Sequence, residues 1–194
     1  IECGYSKPFQ VQDRALIPIL GGRDTFVESP TGSGKAILAI ISALQVIDPT
    51  SKDCQVLILC PTRERTRTIK EMAMKIGKKM DLKAVEIFGG RPMNDQEKVL
   101  KEGVSLVIGT PGRTYDLLDR GSLKLKHLKL LIVEECDVMI DIGFEDILKS
   151  IVKHVPPNVR MCIFSSSCTS AVGKFHEFCL RNPVGIRRDT PSGG

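Results

Sequence analysis

Seven short apolar runs, each closed by a small or polar cluster, constrain the fold of this chain more than any other feature. They are DTFVESP (24–30), QVLILCPT (55–62), KAVEIFG (83–89), VSLVIGT (104–110), LKLLIVEE (128–135), VRMCIFSSS (159–167) and VGIRR (184–188). Several are apolar nearly throughout instead of alternating, the pattern of strands buried on both faces in a parallel sheet covered by helices. Stretches with helical spacing lie between them. In PTRERTRTIKEMAMKIGKKM (61–80), Ile69, Met72, Ala73, Ile76 and Met80 recur at steps of three and four, one apolar stripe with charges opposite. Asp141 or Asp146 opens a helix running to about His154, and Pro156 and Pro157 stop it. This alternation predicts a doubly wound α/β domain, a three-layer sandwich around a mostly parallel β-sheet. Ligands of such sheets bind beyond the carboxyl ends of the strands. ESPTGSGK, CPTRE, GTPGR, VEECD and FSSS all fall at those ends, so five polar clusters converge on one edge.

A length of 194 residues, 42% hydrophobic and 26% charged, suits one soluble globular domain with a substantial core. Residues 1–188 are expected to form that domain, and DTPSGG (189–194) reads as the start of a linker. No apolar run reaches the roughly 18 residues of a membrane span. The opening IECGYSKPFQ lacks the basic and apolar regions of a secretory signal, and the absence of an initial Met leaves a removed leader open. The seven cysteines are odd in number and contain no C-x-x-C pair, which favours small buried hydrophobes in a reducing cytosol or nucleus over a zinc site. The net charge is +5, but residues 61–80 carry seven Lys or Arg against two Glu, a basic face suited to phosphate backbones.

SPTGSGK follows the first run and precedes the helical AILAIISALQVI. Glycines at 32 and 34 let the backbone curl its N–H groups toward phosphate oxygens, the helix N-terminus adds its positive end, and Lys35 reaches the outer phosphates. The position after that lysine ordinarily supplies a hydroxyl to Mg²⁺. Here it is Ala36, which offers no oxygen, so weakened affinity for the magnesium–nucleotide complex is expected. LLIVEECD then ends a buried run with Glu134, Glu135 and Asp137, carboxylates suited to holding a metal and activating water.

In order along the chain, GYSKPFQVQ, SPTGSGKA, PTRERT, GG at 89–90, TPGR at 110–113, EECD and SSS at 165–167 resemble the successive motifs of the first RecA-like domain of DEAD-box RNA helicases, in the initiation-factor-4A-like branch. The likeness covers nearly the whole chain. It implies a RecA-like P-loop NTPase fold that binds ATP, Mg²⁺ and RNA, and a second RecA-like domain that 194 residues do not accommodate. By the same resemblance, Gln12 reads the adenine edge, with Tyr5 stacking and Lys7 nearby. The loop Pro30, Thr31, Gly32, Ser33, Gly34, Lys35 and Ala36 holds the phosphates. Glu134 stands where the metal-linked Asp is usual, and Glu135 is the catalytic base. Asp137, Ser165 and Ser167 link the nucleotide to domain closure. Pro61, Thr62, Arg63, Gly90, Thr110, Pro111, Gly112 and Arg113 meet the RNA backbone.

Read from the residues themselves, Arg63 and Arg113 supply charge and the small residues allow close backbone approach. No aromatic clusters near them, so phosphate and sugar contacts without sequence readout are expected. Several residues depart from the family pattern: Ala36, Glu134 for Asp, Cys136 for Ala, Ser166 and Ser167 for Ala and Thr, and Arg65 and Thr66 for Leu and Ala. The last pair puts the local helix packing in question. Three outcomes stay open: a slow or competent RNA-dependent ATPase in the full protein, a degenerate domain that binds nucleotide, RNA or a protein partner without useful turnover, or an unrelated P-loop role such as a DNA-directed motor or small-molecule kinase.

Overall fold

The computed structural model describes residues 10–187. Seven parallel strands form one sheet: β1 (Thr25–Glu28), β2 (Val56–Leu59), β3 (Ala84–Ile87), β4 (Leu106–Gly109), β5 (Leu130–Val133), β6 (Arg160–Ser165) and β7 (Val184–Arg187), in the order β3-β4-β2-β5-β6-β1-β7. Each expected apolar run holds one strand, shorter than the run because the flanking residues turn away as loops. The helices are α1 (Gln10–Leu20), α2 (Lys35–Val46), α3 (Arg63–Ile76), α4 (Met93–Glu102), α5 (Pro111–Asp119), α6 (Cys136–Asp141), α7 (Glu145–Val152) and α8 (Ser170–Cys179).

Strand side chains point alternately to opposite faces, and the core divides accordingly. Val56 and Ile58 pack with Ala15 and Ile19 of α1, Leu38 and Ala43 of α2, and Ile69 and Ala73 of α3. Leu57 and Leu59 pack on the other face with Leu117 of α5, Met139 of α6, Ile151 of α7 and Phe175 of α8. The central strands β2, β4 and β5 are buried at every position, which explains their unalternating sequences.

Two helical expectations need correction. The stripe of α3 faces the core, but the helix ends at Ile76. Gly77 donates its N–H to the Ala73 carbonyl at 2.8 Å, and Met80 packs from the following turn. The segment before His154 is two helices. α6 stops at Asp141, Gly143 takes φ +93°, a conformation costly to side-chain-bearing residues, and α7 restarts at Glu145. Among the described residues all six cysteines are unpaired; Cys54, Cys60, Cys136, Cys162 and Cys179 are buried and Cys168 is half-buried, while Cys3 lies outside the described residues. No helix among the described residues is long and apolar enough to cross a membrane.

Candidate functional site

The strand order sorts the polar clusters along one rim. Phe88-Gly89-Gly90 follows β3, Thr110-Pro111 follows β4 and Pro61-Thr62-Arg63 follows β2, so these occupy one half. Glu134 and Glu135 follow β5, Ser166 and Ser167 follow β6, and the glycine loop follows β1, so these occupy the other. The two halves meet between β2 and β5.

In the glycine loop, Gly32 and Gly34 have φ of +80° and +86°, which is why glycine stands there. Gly34 precedes α2, no side chain caps that helix and its first turn carries no acid. Its N-terminal N–H groups therefore form an anion-favouring end. Lys35 Nζ donates to the carbonyls of Ser29 and Pro30, the latter at 2.8 Å, and lies 3.4 Å from Ser166 Oγ. Burial lowers the Lys35 pKa, and the carboxylates of Glu134, Asp137 and Glu135 act against that shift. Gln12, on α1, donates Nε2 to the Gly34 carbonyl at 3.1 Å, which ties α1 to the loop. Tyr5 and Lys7 lie outside the described residues.

A cleft of about 280 Å³ joins the loop to the acidic strand end, lined by Thr31, Gly32, Gly34, Lys35, Ala36, Ile37, Arg65, Met72, Glu134, Glu135 and Ser166. Lys35 and Glu135 thus face one cavity, as one rim of polar clusters requires. A larger cavity of about 550 Å³ lies at the amino ends of β2 and β4, lined by residues such as Lys52, Glu97, Gly103 and Ser122, away from this rim. Glu135 is left-handed, with φ 53° and ψ 49°, an unfavourable conformation for glutamate that sharply turns the chain from β5 into α6.

Sequence reasoning missed the partner of Glu134. This side chain is 1% exposed, and Oε2 accepts from Arg65 Nη2 at 2.9 Å and Nε at 3.3 Å. Arg65 Nε is also 3.9 Å from Glu135 Oε1. Burial pushes the Glu134 pKa up, opposed by Arg65; burial alone would lower Arg65, but Glu134, with Glu135 and Cys60, outweighs it and raises the guanidinium. Both members departed from the family pattern in the sequence, and the fold brings them together. The doubt over helix packing is resolved as well: α3 is intact, and buried Thr66 returns its hydroxyl to the Arg63 carbonyl at 2.7 Å.

The site does not fit magnesium in the ordinary way. Ala36 offers no oxygen. Glu134 Oε2 is taken by Arg65, while Oε1 is buried with no hydrogen-bond partner. Among the described residues no three His, Cys, Asp or Glu side chains group closely enough to hold a metal.

Asp137, Ser165 and Ser167 touch one another. The Asp137 N–H donates to Ser165 Oγ at 3.3 Å, Ser165 Oγ donates to the Ser167 carbonyl at 2.7 Å, and Ser167 Oγ donates to Asp137 Oδ2 at 3.2 Å. Ser166 reaches the loop instead, 3.4 Å from Thr31 Oγ1.

On the other half of the rim, Thr62 caps α3 by accepting the Arg65 N–H at 3.2 Å, and Arg63 opens the helix, exposed. Gly90, at φ +84°, sits against it; a Cβ there would stand 3.2 Å from Arg63 Nη2. Thr110 donates its N–H to the Ile87 carbonyl at 2.9 Å and Pro111 is the first residue of α5. Gly112 and Arg113 follow half-exposed, and Arg113 Nη1 donates to the Arg91 carbonyl at 3.0 Å and lies 3.3 Å from Gln96 Oε1. The expected absence of aromatics needs qualifying. Arg63, Arg67 and Arg91 lie 4.7–5.7 Å from the ring centroid of Phe88. Phe88 is 2% exposed, so it gathers guanidinium groups and offers no face to a base.

The fold recurs in solved structures. A DEAD box protein from the hyperthermophile Methanococcus jannaschii superposes with a TM-score of 0.91 at 28% identity, over 95% of this chain and 50% of that one. With the glycine loop and acidic strand end, this defines a RecA-like P-loop NTPase domain, an α/β three-layer sandwich. The model of the DEAD/DEAH box helicase family matches residues 9–175, and the chain belongs to that family. Eukaryotic initiation factor 4A of Cryptosporidium parvum is 38% identical over 183 residues, and that of Drosophila melanogaster 35%; each alignment takes in 94% of this chain and 45% of the relative. The chain spans about half the length of the curated relatives it matches.

Proposed function

We propose that this chain is the ATP- and RNA-gripping half of an RNA-dependent ATPase that remodels RNA only with a second RecA-like domain outside it. The observation that carries this reading is the rim itself. Lys35, the glycine loop and Glu135 share a cleft, and Arg63, Gly90 and Arg113 stand at the adjoining strand ends. In this reading Gln12, with Tyr5 and Lys7, selects adenine, and the loop from Pro30 to Ala36 with Lys35 orients the phosphates. Glu135 takes the proton of the attacking water. Asp137, Ser165 and Ser167, already in mutual contact, transmit the nucleotide's presence to the domain partner. Pro61, Thr62, Arg63, Gly90, Thr110, Pro111, Gly112 and Arg113 hold the sugar-phosphate backbone. Contact with phosphates instead of base edges makes binding indifferent to sequence and sensitive to salt.

A second reading, binding without useful turnover, is favoured by one observation: the arginine on Glu134, beside a loop that lacks its hydroxyl. RNA-stimulated ATP hydrolysis by the protein with its second domain separates the two. Glu135→Gln is expected to lower the rate by about a hundredfold or more, the scale of general-base catalysis. Equal rates for parent and variant would remove the enzymatic reading and leave the binding one.

A further inference from the structure

We infer that the Arg65 guanidinium takes the place of the divalent cation in this cleft, so that the chain binds adenine nucleotide without magnesium. The inference rests on the nucleotide-binding reading of the same site and deepens it. In P-loop NTPases the metal is held between the loop hydroxyl and the strand-end carboxylate, and it bridges the outer phosphates. Here the loop gives a methyl group at Ala36. The strand-end carboxylate, lengthened by one methylene as Glu134, gives its Oε2 to a fork of two N–H donors from Arg65. Its Oε1 is shut off from solvent and has no partner, so a hydrated cation does not reach it while Arg65 stays.

Arg65 also lines the same cleft as Lys35, and its side chain remains about a quarter exposed, which leaves it accessible to a ligand there. A planar guanidinium is always charged and donates through several N–H groups, which suits phosphate oxygens as well as carboxylates. A doubly charged ion beside that fixed positive group would be repelled, whereas the nucleotide's phosphates would be attracted. The three departures at 36, 65 and 134 therefore make one substitution in chemical terms: a metal with two oxygen ligands is exchanged for an arginine with one.

The test measures ADP and ATP binding to the full chain by calorimetry, with magnesium or with EDTA. The parent is expected to change its Kd by less than about twofold, and the triple variant Ala36→Thr/Arg65→Leu/Glu134→Asp to gain about tenfold or more from magnesium. Ala36→Thr alone, which leaves the arginine in place, is expected to stay indifferent to magnesium. If it becomes magnesium-dependent, the lost hydroxyl and not Arg65 excludes the metal, and the inference is overturned. It is equally overturned if the parent binds about tenfold more tightly with magnesium. A parent that binds neither nucleotide under either condition defeats the nucleotide-binding reading itself, a different result from magnesium dependence.

Discussion

Replacing Arg65 with the leucine usual at its position should destabilise the domain, although leucine suits a helix well. The reason is Glu134. At 1% exposure it cannot recover its hydration, and Arg65 supplies two N–H donors to one oxygen at 2.9 and 3.3 Å. Breaking a buried pair from one side costs about 3–5 kcal/mol. Arg65 is 27% exposed, so the lower end of that range, about 3 kcal/mol, applies. In a domain of this size each kcal/mol moves Tm by about 2–4 °C, so Arg65→Leu should lower Tm by about 6–12 °C. Glu134→Gln should cost less, about 1–2 kcal/mol, because the amide oxygen still accepts from Arg65 and the arginine retains solvent and Glu135. The double variant should fall short of the sum by about 2 kcal/mol, since neither change then strands a charge. The pH dependence carries a sign as well. Burial already raises the Glu134 pKa, and without Arg65 its largest opposing influence is gone. A carboxyl whose folded pKa lies above its unfolded value destabilises at high pH, and that penalty fades as pH falls through the folded pKa. The Arg65→Leu deficit should therefore shrink in acid. Thermal denaturation of the parent, both single variants and the double variant across pH gives all these quantities. Additivity within about 0.5 kcal/mol, or a deficit that grows in acid, would refute the reasoning.

Two further outcomes follow from the same geometry. Arg63→Ala should weaken RNA binding equally across sequences and flatten the plot of log K against log salt by about 0.7–1, the loss of one phosphate contact, in a fluorescence titration at several ionic strengths. Thiol alkylation followed by peptide mapping should leave Cys54, Cys60, Cys136, Cys162 and Cys179 unmodified in the folded chain while Cys168 reacts. Burial pushes Cys54 and Cys179 up to about 12 and raises Cys60, Cys136 and Cys162 as well, so little thiolate exists at neutral pH.

Much of this site was legible before any coordinates because its parts are local. The glycine loop needs only a strand, two residues at positive φ and a helix start, and all of these sit within about one dozen consecutive letters. The seven strands were legible because parallel strands are covered on both sides, so their runs stand out as unbroken apolar segments. The break between α6 and α7 was less visible, since Gly143 signals a turn only once its φ is known. The role of Phe88 was hidden for another reason. It closes an apolar run and reads as core, and only the folded chain brings Arg63 and Arg67 of α3 over its ring beside the neighbouring Arg91.

The Arg65–Glu134 pair marks the limit of local reading most sharply. The two residues are 69 positions apart, and the sequence presents them as separate faults, one threatening helix packing and the other a metal shell. They meet because β2 and β5 are neighbours in the sheet, which sets the first turn of α3 beside the end of β5. A site losing its chemistry by drift would be expected to shed charge, leaving an uncompensated carboxylate or an apolar patch. Here a positive charge has arrived at the side chain left without the usual loop hydroxyl opposite it. It brings two N–H donors to one carboxylate oxygen, Nη2 at 2.9 Å and Nε at 3.3 Å. Lys35 and Glu135 remain in the same cleft. That combination favours a pocket kept for a charged ligand under altered electrostatic terms over one simply abandoned.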